Sequence, residues 1–197
     1  MGKGKDLTNE NSLLKALSDK INIAKNVKII GEMGEGTSFM DNSITLKKVT
    51  GFVVRHGYIV DGIRMRFHDG TEGEQHGSSW GGGEQTVVFD KDDSIVGLVG
   101  IKIVGFEGGR AISKLKIITQ KGKVYGPFGS CGSGGEAFKL DIPGDALVFG
   151  CCGTSDPRGN GGFLTGIGFL ALTKEKDGID FPDVDFSDIP DMNDFIG

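Results

Sequence analysis

The stretch Gly57-Tyr58-Ile59-Val60-Asp61-Gly62-Ile63-Arg64-Met65 opens on a glycine, passes through three variable residues to a polar one, and continues as an alternating apolar run. The same plan returns in Gly109-Arg110-Ala111-Ile112-Ser113-Lys114-Leu115-Lys116-Ile117 and in Gly161-Gly162-Phe163-Leu164-Thr165-Gly166-Ile167-Gly168-Phe169. A second unit, a glycine-rich loop leading to a phenylalanine, recurs around these three. It reads Gly31-Glu32-Met33-Gly34-Glu35-Gly36 before Phe39, Trp80-Gly81-Gly82-Gly83 before Phe89, and Gly126-Pro127-Phe128-Gly129, continuing to Gly135, before Phe138. Alternation with period two is the mark of a half-buried strand. Repeats of a strand unit at irregular spacing do not suit an open solenoid, and point instead to a closed, pseudo-threefold β body.

The rest of the chain agrees. Its 35 glycines in 197 residues are about two and a half times the ordinary share of roughly 7%. They punctuate short apolar runs instead of diluting them, which describes many short strands joined by glycine turns. Strands are expected at 27–30, 44–54, 59–67, 86–89, 95–106, 111–119, 146–149 and 163–172. Turns are expected at 69–70, 81–83, 108–109, 132–135 and 156–162.

Two flanks differ in composition. In residues 6–25, Leu13, Leu14, Leu17 and Ile21 fall at helical spacing behind Thr8 or Ser12 as a cap, predicting a short amphipathic helix. Residues 175–197 hold eight acidic side chains and one lysine, a net −7 within a chain of −5, so the remainder stands at +2. Aspartates interleaved with Ile179, Phe181, Phe186, Ile189, Met192 and Phe195 read as a flexible acidic tail. The domain boundaries expected are therefore 1–25, 26–174 and 175–197.

Composition excludes several functions. Nucleic acid needs a basic face, and this chain has none in its overall balance. No run is long and apolar enough to insert in a bilayer. The opening MGKGKDLTNENSLLKAL has no uninterrupted apolar centre, so it does not read as a signal peptide. With three cysteines, two of them adjacent, buried thiols in a reducing compartment are expected, and with them a cytoplasmic protein. No nucleophile elbow, phosphate loop or metal-ligand spacing occurs, and His56, His68 and His76 with three cysteines outline no triad. The chain does not read as an enzyme, and neither cofactor nor metal is expected.

With these features in order, the sequence resembles the jacalin-related lectins of mannose-binding type over residues 26–174. IGEMGEGTSFMDNS stands where that family has a glycine-rich opening before an F-D-D-like turn. Tyr125-Gly126-Pro127-Phe128-Gly129 matches its Y-G-P-F/Y-G stretch, and GGFLTGIG stands at its closing G-x-x-x-D loop and strand. The resemblance implies an all-β fold, a β-prism of three antiparallel Greek-key sheets about a pseudo-threefold axis. It also implies a metal-independent carbohydrate-binding function toward mannose- or glucose-containing glycans, and it admits a homo-oligomer.

In that family the sugar lies between a G-x-x-x-D loop and a neighbouring glycine-rich loop. A carboxylate accepts two hydroxyl donors in charge-assisted bonds, and glycine lets the main chain come close to the ring. The first repeat keeps Gly57, Tyr58, Ile59, Val60 and Asp61, with Gly81, Gly82 and Gly83 as the partner loop, and is the expected site. Tyr58 would flank the sugar, while Trp80 reads either as a buried anchor or as a ligand contact and His56 as a loop residue. In the third repeat, Gly161, Phe163 and Thr165 mark a weak or lost site, because a hydroxyl cannot replace a bidentate charged acceptor. Ser113 leaves the second repeat without one. The alternative is a jacalin-like protein-interaction or targeting module with no working sugar site.

Overall fold

The computed structural model describes residues 27–41, 47–130, 134–158 and 162–173. The expected N-terminal helix and acidic tail lie outside these residues.

Twelve strands run in chain order: β1 (Val27–Glu32), β2 (Thr37–Met40), β3 (Val49–His56), β4 (Val60–Phe67), β5 (His76–Gly77), β6 (Gly83–Val88), β7 (Ile95–Phe106), β8 (Gly109–Thr119), β9 (Val124–Phe128), β10 (Glu136–Asp141), β11 (Leu147–Asp156) and β12 (Phe163–Leu172). They form three four-stranded antiparallel sheets: β5-β4-β3-β6, β10-β7-β8-β9 and β1-β12-β11-β2. We call these the first, second and third sheet. Each is one central hairpin flanked by two outer strands that follow one another in the chain. In the third sheet, β1 and β2 from one end of the described chain embrace β11 and β12 from the other, which closes the prism.

The core is what the alternation supplies. Phe52, Ile63 and Met65 from the first sheet, Leu98, Leu115, Ile117 and Phe128 from the second, and Leu164, Ile167 and Phe169 from the third meet in one cluster, all fully buried or nearly so. The Phe52 ring lies 5.5 Å from Phe89, edge to face, and 6.1 Å from Phe169, tying the first sheet to the third. Side chains at alternate positions from three sheets fill a prism axis as they would the slot of a sandwich.

Several expectations about local structure are corrected. The strand expected at 44–54 starts as β3 at Val49, with Lys47 and Lys48 outside any strand. Strand 86–89 begins earlier, at Gly83, which is therefore a strand residue and not a turn. Strand 146–149 runs on to Asp156 as β11, carrying Gly150, Cys151, Cys152 and Gly153 with it. His56 closes β3 and is not a loop residue. Four short strands, β2, β5, β9 and β10, were not expected at all. Cys151 and Cys152 are free and buried, as the thiol reading required.

Candidate functional site

In the first sheet the tip of the central hairpin faces the loop that joins the two outer strands. The tip is Gly57, Tyr58 and Ile59, and Asp61 is the second residue of β4. The facing loop runs from Ser78 to Gly82, between β5 and β6.

These two loops touch. A Cβ built on Gly57 would stand 3.2 Å from the Gly82 Cα. One on Gly82 would stand 2.3 Å from the His56 carbonyl oxygen and 2.8 Å from Asp61 Oδ2, and one on Gly81 would stand 3.6 Å from Asp61 Oδ1. Gly82 also has φ of +52°, a region L side chains avoid. Only glycine brings the main chain this close to the carboxylate. Gly83 is different: it pairs with His56 in the ladder, and a Cβ there would meet nothing within 4 Å.

Asp61 is half-buried, and burial pushes its carboxyl above the ordinary value, against the pull of His56 and Arg55 in the other direction. Its backbone carbonyl accepts the Ser78 N–H at 2.8 Å. Its carboxylate takes no hydrogen bond from the described residues. A desolvated acceptor pair without donors, at the mouth of a glycine cleft, is suited to a ligand that brings two hydroxyl donors of its own.

The neighbouring residues of the tip divide sharply. Ile59 and Val60 point into the core and are buried, so they offer a ligand only their backbone. Tyr58 is 58% exposed, its ring 6.2 Å from Phe106 of β7. Trp80 is 72% exposed, which removes the buried-anchor reading and leaves its indole at the rim beside the glycine loop.

What holds this tip in place comes from far along the chain, and no local sequence pattern signals it. The second sheet's outer loop braces it: Ser130 donates its N–H to the Tyr58 carbonyl at 3.1 Å and its hydroxyl to the Gly57 carbonyl at 3.1 Å. The Gly129 N–H lies 3.1 Å from His56 Nδ1, and His56 Nε2 lies 3.2 Å from Gln85 Oε1. Arg55 holds the facing loop, donating to the Gly81 carbonyl at 3.2 Å while pairing with Glu84, which Arg64 also engages at 2.6 Å.

The equivalent positions in the other sheets are closed. Thr165 is 1% exposed, and its hydroxyl bonds Thr154 Oγ1 at 2.8 Å and the Glu35 carbonyl. Gly34 donates to Thr154 Oγ1 at 2.7 Å and lies so close that a Cβ would stand 2.3 Å from the Thr165 carbonyl oxygen. The loop between β1 and β2 thus fills the space in front of Thr165. Phe163 is buried against Ile59, Ala111 and Phe106, and Gly161 lies outside the described residues. Ser113 is fully buried and donates to the Ile101 carbonyl at 3.0 Å.

Among the described residues one cluster combines metal-type ligands: Asp41, His76 and Cys151, all buried. It is already internally satisfied. His76 Nε2 lies 2.6 Å from Asp41 Oδ1, and the Cys151 N–H donates to Asp41 Oδ2 at 2.8 Å. Burial and the Asp41 charge hold the Cys151 thiol well above its ordinary value, so it stays protonated. With Phe39 stacked on His76 at 4.4 Å, the group clasps β5 of the first sheet to the β2–β11 edge of the third.

Comparison with known proteins agrees with this architecture. A family profile described as the Jacalin-like lectin domain matches residues 27–170, while a search of curated proteins finds no match. Among solved structures, frutapin, a lectin from Artocarpus incisa, superposes with a TM-score of 0.60 at 20% identity, covering 75% of this chain and 97% of that one. The mannose-binding lectin from Champedak gives 0.59 at 19% identity, over 74% of this chain and 97% of that one. A mannose-specific jacalin-related lectin from Morus nigra, in complex with mannose, gives 0.59 at 21% identity, over 75% and 95%. With the profile spanning most of the chain and the three-sheet prism in place, this protein belongs to the jacalin-like lectin family.

Proposed function

We propose that this protein is a non-enzymatic lectin with one working carbohydrate site, in the first repeat, which binds mannose- or glucose-type glycans without a metal. One observation carries the reading: the half-buried Asp61 carboxylate faces the Gly81–Gly82 main chain with no donor supplied by the described residues. Two adjacent sugar hydroxyls would supply those donors, Gly57 and the glycine loop would admit the ring edge, and Tyr58 and Trp80 would flank it. The mannose-binding lectins from Champedak and Morus nigra that share the fold support the choice of sugar. A single such site gives weak monosaccharide affinity, on the order of millimolar.

Titration calorimetry with mannose, backed by a glycan array, tests this on three proteins: the native chain, Asp61→Ala and Thr165→Ala. Binding that survives chelation, is lost in Asp61→Ala and persists in Thr165→Ala is the expected pattern. Equal behaviour of the two variants would refute the choice of site, and binding only with calcium would refute the metal-free part. The second reading, a protein-interaction module on the same prism, is favoured by the closed positions at Ser113 and Thr165. It would be supported by an array on which no glycan binds.

A further inference from the structure

The three sheets of a pseudo-threefold body ought to present similar outer faces, and they do not. The first sheet's outer face carries Arg55, Arg64, Glu72 and Glu84 in one ion-pair network. The second sheet's is a shallow groove with Val99, Ile101, Pro127 and Ala137 on its floor and Lys114, Lys116 and Lys139 around them. The third sheet's outer face is apolar. On β12, Ile167, Phe169 and Ala171 point to the core, so Leu170 and Leu172 point outward, and they cluster with Phe149, Cys152 and Val27. Register sets Ile29 opposite Leu170 and Met40 opposite Cys152, extending the patch to both edge strands. Ile29 and Met40 are 59% and 48% exposed, whereas Phe149, Cys152 and Leu170 are buried although they face outward.

The chain enters the prism on this sheet, at Val27. Immediately before it stands the amphipathic segment 6–25, whose Leu13, Leu14, Leu17 and Ile21 fall within one arc of about 100° at 3.6 residues per turn. Lys15, Asp19 and Asn22 fall on the opposite side. An isolated helix of this length is marginal in water and needs a face to pack on. Capped by Thr8 and running to Ile21, the helix spans roughly 20 Å, and a strand of six or seven residues about 20–23 Å, so the apolar stripe and the apolar sheet face match in length. Residues 22–26 are sufficient to turn the chain back over β1. The first sheet's face would set Leu and Ile against paired charges, and the apolar floor of the second is rimmed by Lys114, Lys116 and Lys139, whereas the third is apolar out to both edge strands.

We propose that the outer face of the third sheet is the docking surface for this chain's own N-terminal segment 8–21, packed as a helix across β1, β12 and β11 with its Leu13–Leu17–Ile21 stripe on Phe149, Cys152 and Leu170. Tethering places the segment at an effective concentration in the millimolar range, which favours it over a separate molecule. The proposal is independent of the sugar site, which lies on the first sheet's hairpin tip.

Cys152 stands in the middle of this face and supplies the probe. In the full-length chain, Leu13→Cys, Leu17→Cys and Ile21→Cys are made singly, with Lys15→Cys and Asp19→Cys as controls. Each is oxidised with diamide at low protein concentration, and the bridges are mapped by mass. The expected result is a bridge to Cys152 within monomers from at least one stripe position and from neither control. A second measurement keeps the native cysteines: Leu14→Asp/Leu17→Asp should raise the rate of Cys152 labelling by maleimide at least tenfold while the β signature in circular dichroism persists. Bridges found only between two chains would assign the face to a second copy. Bridges formed equally by the controls, or a labelling rate unchanged in the double variant, would overturn the proposal.

Discussion

A methyl group on Gly82 would stand 2.8 Å from Asp61 Oδ2 and 2.3 Å from the His56 carbonyl oxygen. The glycine loop and the carboxylate are therefore built as one object, and the loop cannot be altered without disturbing the acceptor. Gly82→Ala should lower stability by roughly 1–3 kcal/mol, because its φ is positive and the space is filled, and should abolish mannose binding as well. Gly83→Ala should leave stability within about 0.5 kcal/mol, since nothing lies near its Cβ direction. Paired thermal melts and titrations of the two neighbours check this, and equal losses would contradict the close approach at Gly82.

Asp61 should trade stability for binding. Its folded value is raised by burial, so the folded state holds the proton more tightly than the unfolded one. That contribution is fully present below the unfolded value and is lost as pH rises through the folded value. At neutral pH the ionised group is therefore a net cost, discounted because it is only half-buried. Asp61→Asn should melt at or slightly above the native protein at pH 7, by on the order of 1–2 °C, with the difference vanishing below the ordinary aspartate range. Mannose affinity of the native chain should fall on acidification at a higher pH than an ordinary aspartate would give. A native protein that melts well above Asp61→Asn at pH 7 would reverse the sign.

Much of this was legible in the sequence, for a physical reason. β4 and β8 bury a long row of alternate side chains, so their period is visible in Ile63-Arg64-Met65 and Leu115-Lys116-Ile117. β2 and β9 are short edge strands anchored by one phenylalanine each, Phe39 and Phe128, and β5 is two residues long. Such strands are held by ladder bonds to their neighbours and leave no period to read. The site divides in the same way. The pairing of Asp61 with the loop at Gly81 and Gly82 is expected from the resemblance to the jacalin-related lectins, in which a glycine-rich loop faces the G-x-x-x-D loop. The bracing of Tyr58 by Ser130, and the capping of Thr165 by Glu35, join residues 72 and 130 positions apart through backbone groups, which carry no residue-type signature.

Thr165→Ala should be a stability variant and nothing else. Its buried hydroxyl serves both Thr154 and the Glu35 carbonyl, so its removal leaves polar atoms unpaired at a cost of about 1–3 kcal/mol. Glycan titration should be unchanged while the melting temperature falls by several degrees. Denaturant titration gives the stability change directly. An unaltered midpoint would mean that the loop between β1 and β2 does not depend on this contact.

The Asp41 clasp should be costlier to break. Asp41→Ala leaves His76 and the Cys151 N–H without their buried acceptor, and loses the tie between the first and third sheets. A loss of roughly 3–5 kcal/mol is expected, the range for removing one partner of a buried pair. In the native protein Cys151 should resist thiol reagents at pH 8, being fully buried with its thiol held well above the ordinary value. Asp41→Ala should open it to labelling through partial unfolding of the β2 edge. Rapid labelling of Cys151 in the native chain would show that the clasp is looser than its hydrogen bonds imply.

Removal of residues 175–197 should leave the prism folded and competent for sugar. The last strand ends at Leu172, paired on one side with Val27 and on the other with Leu147, so all three hairpins and their outer strands are complete before the acidic segment begins. That segment carries −7, and its self-repulsion opposes compaction unless its aromatic residues find an apolar face. A chain ending at Lys174 should therefore melt within about 2 °C of the full-length protein and bind mannose with unchanged affinity. Should the aromatic residues cover part of a sheet's outer face, solubility would drop before affinity did. A fall of many degrees would place the segment in the core, and the boundary at 174 would have to move.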